Sequence, residues 1–142
     1  MRAAANKKLM QEIFARVANR DGRLFVENLA DNATWCVTGQ NSWSRTFKGK
    51  DSVLNDLMGH FQSLLVERSR TIAHRFIADG DYVVVEAKGD NLTKTGKRYD
   101  NEYCMVYRLE NGKIVEIREY CDSALVEAAL GPFPASRIRA AV

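Results

Sequence analysis

Apolar residues recur at two different spacings along the chain, and the change of spacing divides it. Near the start Leu9, Ile13 and Val17 fall four apart with Met10 and Phe14 beside them, which predicts one face of a helix. Asn19-Arg20-Asp21-Gly22 closes that run. A shorter helical piece follows around Leu24, Phe25 and Leu29, then a strand over 33–38 closed by Gly39. The stretch from Gly39 to Gly49 is polar and irregular apart from Trp43 and Phe47. Beyond it Val53, Leu54, Leu57, Met58, Phe61, Leu64 and Leu65 trace a broad apolar helix face, with Asp51 near its positive end.

After Val66 the period falls to two. Strands are predicted over 71–78, 82–87, 99–109 and 113–121. Polar turns separate them: Asp79-Gly80-Asp81, Thr95-Gly96-Lys97 and Glu110-Asn111-Gly112-Lys113, whose Asn-Gly is a strong hairpin signal. Asp122-Ser123 suits the cap of a last helix through Leu130, ended by Gly131-Pro132. Strands segregated from helices argue for an α+β fold, an antiparallel sheet curled around its helices. The 142 residues suffice for a single domain, 1–142, with its core over about 7–131 and a short tail at 132–142.

Composition narrows the function classes. With 46% hydrophobic and 27% charged residues the chain reads as a soluble globular protein, and no apolar run approaches membrane-spanning length. The net charge of +3 is spread among acids, whereas a nucleic-acid binder concentrates basic charge on one face. No secretory apolar segment follows Met1-Arg2, so Cys36, Cys104 and Cys121 are expected as free thiols in a cytoplasmic protein. They show no metal-ligand spacing, and His60 and His74 form no metal motif, so neither metal nor cofactor is expected.

Each strand offers two lists of side chains. On the 82–87 strand Val83, Val85 and Ala87 oppose Tyr82, Val84, Glu86 and Lys88. On the last strand Val115, Ile117, Glu119 and Cys121 oppose Ile114, Glu116, Arg118, Tyr120 and Asp122. Alternation alone favours the Val/Ile lists inside and the charged lists in water.

Three stretches carry a family resemblance: Leu29-Ala30-Asp31-Asn32-Ala33-Thr34-Trp35, Gly49 with the helix after it, and Asn111-Gly112-Lys113-Ile114 followed by Arg118-Glu119-Tyr120-Cys121-Asp122. Through these the chain resembles the nuclear transport factor 2-like superfamily in its SnoaL-like branch, from Leu9 to Leu130. The resemblance implies a cone: a bent antiparallel sheet around three helices, with a pocket at the open end and a two-fold dimer through the outer sheet face. Within the branch the chain looks closest to the limonene-1,2-epoxide hydrolases and the SnoaL-type polyketide cyclases. The aspartate of their sites falls on Asp122. The Arg-x-Asp pair of the hydrolases falls on Glu86-x-Lys88, and their water-holding Tyr-x-Asn falls on Trp35-x-Val37, which argues against their route to epoxide hydrolysis.

This resemblance reverses the choice of faces. It points Glu86, Lys88, Tyr99, Asn101, Tyr103, Met105, Tyr120 and Asp122 into the cone with Trp35 and Val37, and turns Val83, Val85, Val115 and Ile117 outward. The expected catalytic residues are then Asp122 as base with Glu86 and Lys88 as charge partners. The expected substrate-binding residues are Trp35, Val37, Tyr99, Asn101, Tyr103, Met105, Arg118 and Tyr120. An ordinary helix cap competes for Asp122, and a solvated strand face competes for Glu86 and Lys88. The implied activity is isomerisation, cyclisation or hydration of a small hydrophobic molecule by acid–base chemistry. A pocket that only binds its ligand, and an interaction module working through the outer face, are the alternatives.

Overall fold

The amphipathic run at the N-terminus folds as helix α1 (Arg2–Val17) in a computed structural model that describes residues 2–137. Its apolar stripe supplies Met10, Ile13 and Phe14 to the core, all buried. Phe14 sets its ring edge-on to Phe76 at 5.9 Å and to Tyr107 at 6.0 Å, which docks α1 across the sheet. The run ends at Arg20, whose φ of 64° lies in the left-handed region and turns the chain into α2 (Arg23–Glu27).

The broad apolar face beyond Gly49 forms a third helical segment, here α3. It has α-helical turns at Lys50–Ser52 and Gly59–Ser63 around a π-helical stretch at Val53–Met58. The last helix, α4, starts at Ser123–Leu125 and runs on as the π-helical Val126–Leu130. Among the described residues, no helix is long and apolar enough to cross a membrane.

Six strands make one curved, unclosed sheet: β1 (Leu29–Val37), β2 (Thr46–Lys48), β3 (Thr71–Asp79), β4 (Tyr82–Gly89), β5 (Glu102–Glu110) and β6 (Lys113–Cys121). Their order is β2-β1-β6-β5-β4-β3. All neighbours run antiparallel except β1 and β6, which are parallel. The short β2 lies in the stretch expected to be irregular; its central Phe47 is buried opposite Trp35. The Asn-Gly hairpin forms as expected, with φ of 50° at Asn111 and 75° at Gly112, the left-handed pair that a two-residue turn requires. The tail expected from 132 is tied in at first, because Phe133 is 5% exposed within the core; residues 138–142 lie outside the described residues.

Residues paired across a ladder share a face of the sheet, so pairing decides which side chains look inward. Val85 pairs with Met105, Met105 with Glu119, and Val37 with Glu119, and these four form one inward row. Val83, Tyr107, Ile117 and Trp35 form the next. Val83, Val85 and Ile117 are fully buried, so the faces of β4 and β6 are the reverse of those implied by the family resemblance. On β4, which pairs with β5 without a break, the plain alternation of Val83, Val85 and Ala87 stands; β6 carries a bulge. Arg108 pairs with Glu116 but Leu109 with Ile114, so Val115 is an extra residue and the alternation changes phase there. Both Ile114 and Ile117, three apart, point inward.

One substitution made on opposite faces tests this assignment. Ile117→Ala, at 0% exposure, is expected to cost about 2–5 kcal/mol of unfolding free energy, whereas Ile77→Ala, at 55% exposure, should cost about 0.5 kcal/mol or less. Urea denaturation followed by circular dichroism measures both; equal losses would contradict the assignment.

Candidate functional site

Helices α1, α2 and α3 do not fill the concave side of the sheet. They leave a cavity of about 650 Å³, a size suited to a small organic ligand. Its walls are mostly apolar: Ile13 and Phe14 from α1, Phe25 from α2, Leu57 and Phe61 from α3, and Met105 and Tyr107 from β5. Phe25 meets Trp35 edge-on at 6.2 Å, closing the wall beside β1. At the far end Trp43 lies tilted against His60 at 5.2 Å and meets Phe133 edge-on at 5.0 Å, while its indole N–H donates to the Gly131 carbonyl at 2.9 Å. Arg45 lies over the Phe133 ring at 4.7 Å, so the tail plugs this end of the cone.

Among the charged side chains that line the cavity, Glu119 alone comes from the sheet. Burial pushes its carboxyl up from 4.5 to about 7. The Cys121 thiol, 3.6 Å from its Oε2, and the Trp35 indole N–H oppose that rise. The Trp35 Nε1 atom is buried without a hydrogen bond of good geometry, so its help to the carboxylate is incomplete. Cys121 in turn is pushed up to about 12, first by its own burial and then by the neighbouring Glu119.

Three tyrosines line the cavity, Tyr99, Tyr103 and Tyr107, and burial raises all three above the ordinary phenol range. The direction of the hydrogen bonds around Tyr99 is fixed by the backbone. The Asp122 N–H donates to Asn101 Oδ1 at 3.0 Å, so Asn101 Nδ2 is the donor to the Asp122 carbonyl at 3.1 Å and to Tyr99 Oη at 3.1 Å. Tyr103 also favours Tyr99 as an acceptor. The Tyr99 oxygen is thus held by donors, which leaves its own proton to be offered to the cavity.

Of the residues singled out in the sequence, Trp35, Val37, Tyr99, Tyr103 and Met105 line this cavity together. Asn101 stands behind them, fully buried, and orients Tyr99. The others lie elsewhere. Glu86 and Lys88 are on the outer face, since their ladder partners Cys104 and Glu102 alternate with the inward Tyr103 and Met105; Glu86 is bound to Arg75 at 2.7 Å and Lys88 is exposed. The β6 bulge likewise turns Arg118 and Tyr120 outward, where the Tyr120 hydroxyl accepts a hydrogen bond from Arg118 at 3.2 Å. Asp122 is an exposed helix cap whose carboxylate accepts from Ala124 N at 3.1 Å and Leu125 N at 3.4 Å. Glu119, which the resemblance places on the outer face, lies in the cavity wall. Its signal was a lone carboxylate in the otherwise apolar list Val115, Ile117, Cys121. Among the described residues no three His, Cys, Asp or Glu side chains group to hold a metal.

The shifted carboxyl has a consequence for stability. Between its ordinary 4.5 and about 7 the folded chain keeps a proton on Glu119 that the unfolded chain has released. Stability therefore falls as pH rises through this window and levels off above it, by up to roughly 3 kcal/mol. The difference in urea midpoint between wild type and Glu119→Gln, followed from about pH 4 to about pH 8, isolates this contribution; a flat difference would show that the carboxyl titrates normally.

Comparison with known proteins agrees with this architecture. The sequence profile of the SnoaL-like domain matches residues 10–117. None of the curated proteins matches the chain. Among solved structures, a nuclear transport factor 2-like protein from Burkholderia thailandensis superposes with a TM-score of 0.76 at 19% identity, over 93% of this chain and 100% of its own. TerC, co-crystallised with polyporic acid, superposes with a TM-score of 0.73 at 17% identity, over 88% of this chain and 97% of its own. A protein assigned as a SnoaL-like polyketide cyclase, from Jannaschia sp., gives 0.71 at 16% identity, over 94% and 96%. With three-quarters of its length matched by that profile and the same cone around a ligand-sized cavity, the chain belongs to the SnoaL-like family.

Proposed function

We propose that the cavity performs acid–base chemistry on a small hydrophobic, ring-containing molecule, of the isomerase or cyclase type. The observation that carries this reading is a carboxyl, held by burial near pH 7, inside an apolar cavity that also contains the protonated tyrosines Tyr99, Tyr103 and Tyr107. Near neutral pH a large fraction of the molecules hold Glu119 as a carboxylate, and in low-dielectric surroundings it is a stronger base than an exposed one. It would take a proton from carbon beside a carbonyl, while the Tyr99 hydroxyl donates to the developing enolate oxygen and Tyr103 supports it. Return of that proton to another carbon gives an isomer; attack of the enolate carbon on a second carbonyl closes a ring. SnoaL-like and cyclase-type neighbours support the reading.

A pocket that binds without turnover is the second reading. It is favoured by the outward placement of Glu86, Lys88 and Asp122, which leaves Glu119 as the one carboxyl beside the tyrosines. On this reading the chain pairs as a homodimer through the outer face that exposes Ile77 and Tyr82.

Exchange of C–H for C–D in deuterated water, followed by NMR on a panel of cyclic ketones and enones, tests the enzyme reading. Wild type is expected to exchange protons beside the carbonyl of its ligands, and Glu119→Gln to slow this by about 100-fold or more. Asp122→Asn, which keeps a capping side chain, should leave the rate unchanged. Ligand binding with no exchange in wild type would favour the binding protein.

A further inference from the structure

The mouth of the cavity differs in chemistry from its interior. It is bordered by the turn after α1, with Arg20 and Arg23, and by the segment before β3, with Arg68 and Ser69. Two of these arginines are committed to holding the rim. Arg20 pairs with Glu67 at 2.9 Å and donates to the Arg68 carbonyl, stitching the end of α1 to the segment before β3. Arg23 is bound by the Asp21 carboxylate through both of its oxygens. Ser69 is held in the same way, its N–H donating to Gln62 Oε1 at 2.9 Å, and Gln62 in turn donates to the Glu67 carbonyl. The remaining cation, Arg68, is exposed at the lip and its guanidinium has no ion-pair partner among the described residues. Its backbone is clamped by Arg20, so the free guanidinium is presented from a fixed base.

We infer that the cavity takes an amphipathic anion, whose apolar body reaches inward toward Trp35 and Phe61 and whose carboxylate or similar oxyanion stays at the mouth on Arg68. This deepens the proposed function and rests on it, because it assumes that the cavity is where the ligand sits. A guanidinium offers paired N–H groups in the fork that matches an oxyanion, and it stays charged at every working pH. The apolar interior would reject a fully hydrated ion, so the charged end is placed where water still reaches it. Binding at the lip also orients the molecule, with its far end toward the sheet wall that carries Glu119.

A matched pair of dyes tests the inference: 1-anilinonaphthalene-8-sulfonate and its uncharged parent N-phenyl-1-naphthylamine, excited by energy transfer from Trp35 and Trp43. Both fluoresce on entering an apolar site, and they differ only in the anionic group. Arg68→Gln is expected to weaken the sulfonate about threefold to tenfold while leaving the neutral dye unchanged. Arg68→Lys should restore part of the loss, and Lys8→Gln, which removes the same charge from an exposed position on α1, should affect neither dye. If both dyes bind and Arg68→Gln alters neither, the inference is overturned while the pocket reading stands. If neither dye is bound, the pocket reading falls with it.

Discussion

Everything in the interior follows from one constraint: residues opposed across a β-ladder must share a face. Once Met105 is buried beneath the helices, its partners Val85 and Glu119 are carried inward with it, and Val37 follows through the parallel pairing of β1 with β6. The chain has no freedom to bury the valines of that row and leave out the acid. A carboxyl is thereby placed in apolar surroundings by the same hydrogen bonds that hold the sheet together. The curvature of the sheet, wrapped by α1 and α3, then decides how much space remains around it.

That placement is costly in the folded state and useful in a site. A hydrophobic residue of similar size at 119 would remove the need to desolvate an acid, and the fold has no structural use for the carboxyl, since the contacts that respond to it are a thiol and an indole N–H of imperfect geometry. Groups that weaken a fold and meet in a cavity are where function is expected. The tyrosines nearby are treated differently. Asn101 is tied to the backbone of Asp122 by two hydrogen bonds and holds Tyr99 with a third, so the donor is rigid where the acid is only enclosed.

Much of this was legible in the order of residues. The helix of Leu9, Ile13 and Val17, the Asn111-Gly112 hairpin and the cap at Asp122 all depend on local chemistry, and each forms where its signal stands. The inward set on β5 was also readable, because Tyr103, Met105 and Tyr107 keep strict alternation. On β6 alternation alone favours the observed inward list, Ile117 with Glu119 and Cys121, and it is the resemblance that reverses it. Counting by twos from the buried Ile114 leads to Arg118, Tyr120 and Asp122, and the extra residue at Val115 is visible only once β5 is paired beside it. The family resemblance located the fold correctly and still assigned the wrong side of two strands, since likeness in sequence does not record which way a side chain points.

The bulge at Val115 also has a meaning for how such a cone can change over generations. A point mutation alters one wall residue, whereas loss of the Val115 codon would leave Ile114 opposite Leu109 and Glu116 opposite Arg108, a regular ladder with every later residue still on its own face. Glu119 would remain opposite Met105 inside the cavity, and Arg118 and Tyr120 would remain opposite Val106 and Cys104 outside it. An irregularity of one residue is thus slack in the strand, and it gives a physical route by which relatives can differ in length here while keeping the cone and the side chains that face its cavity.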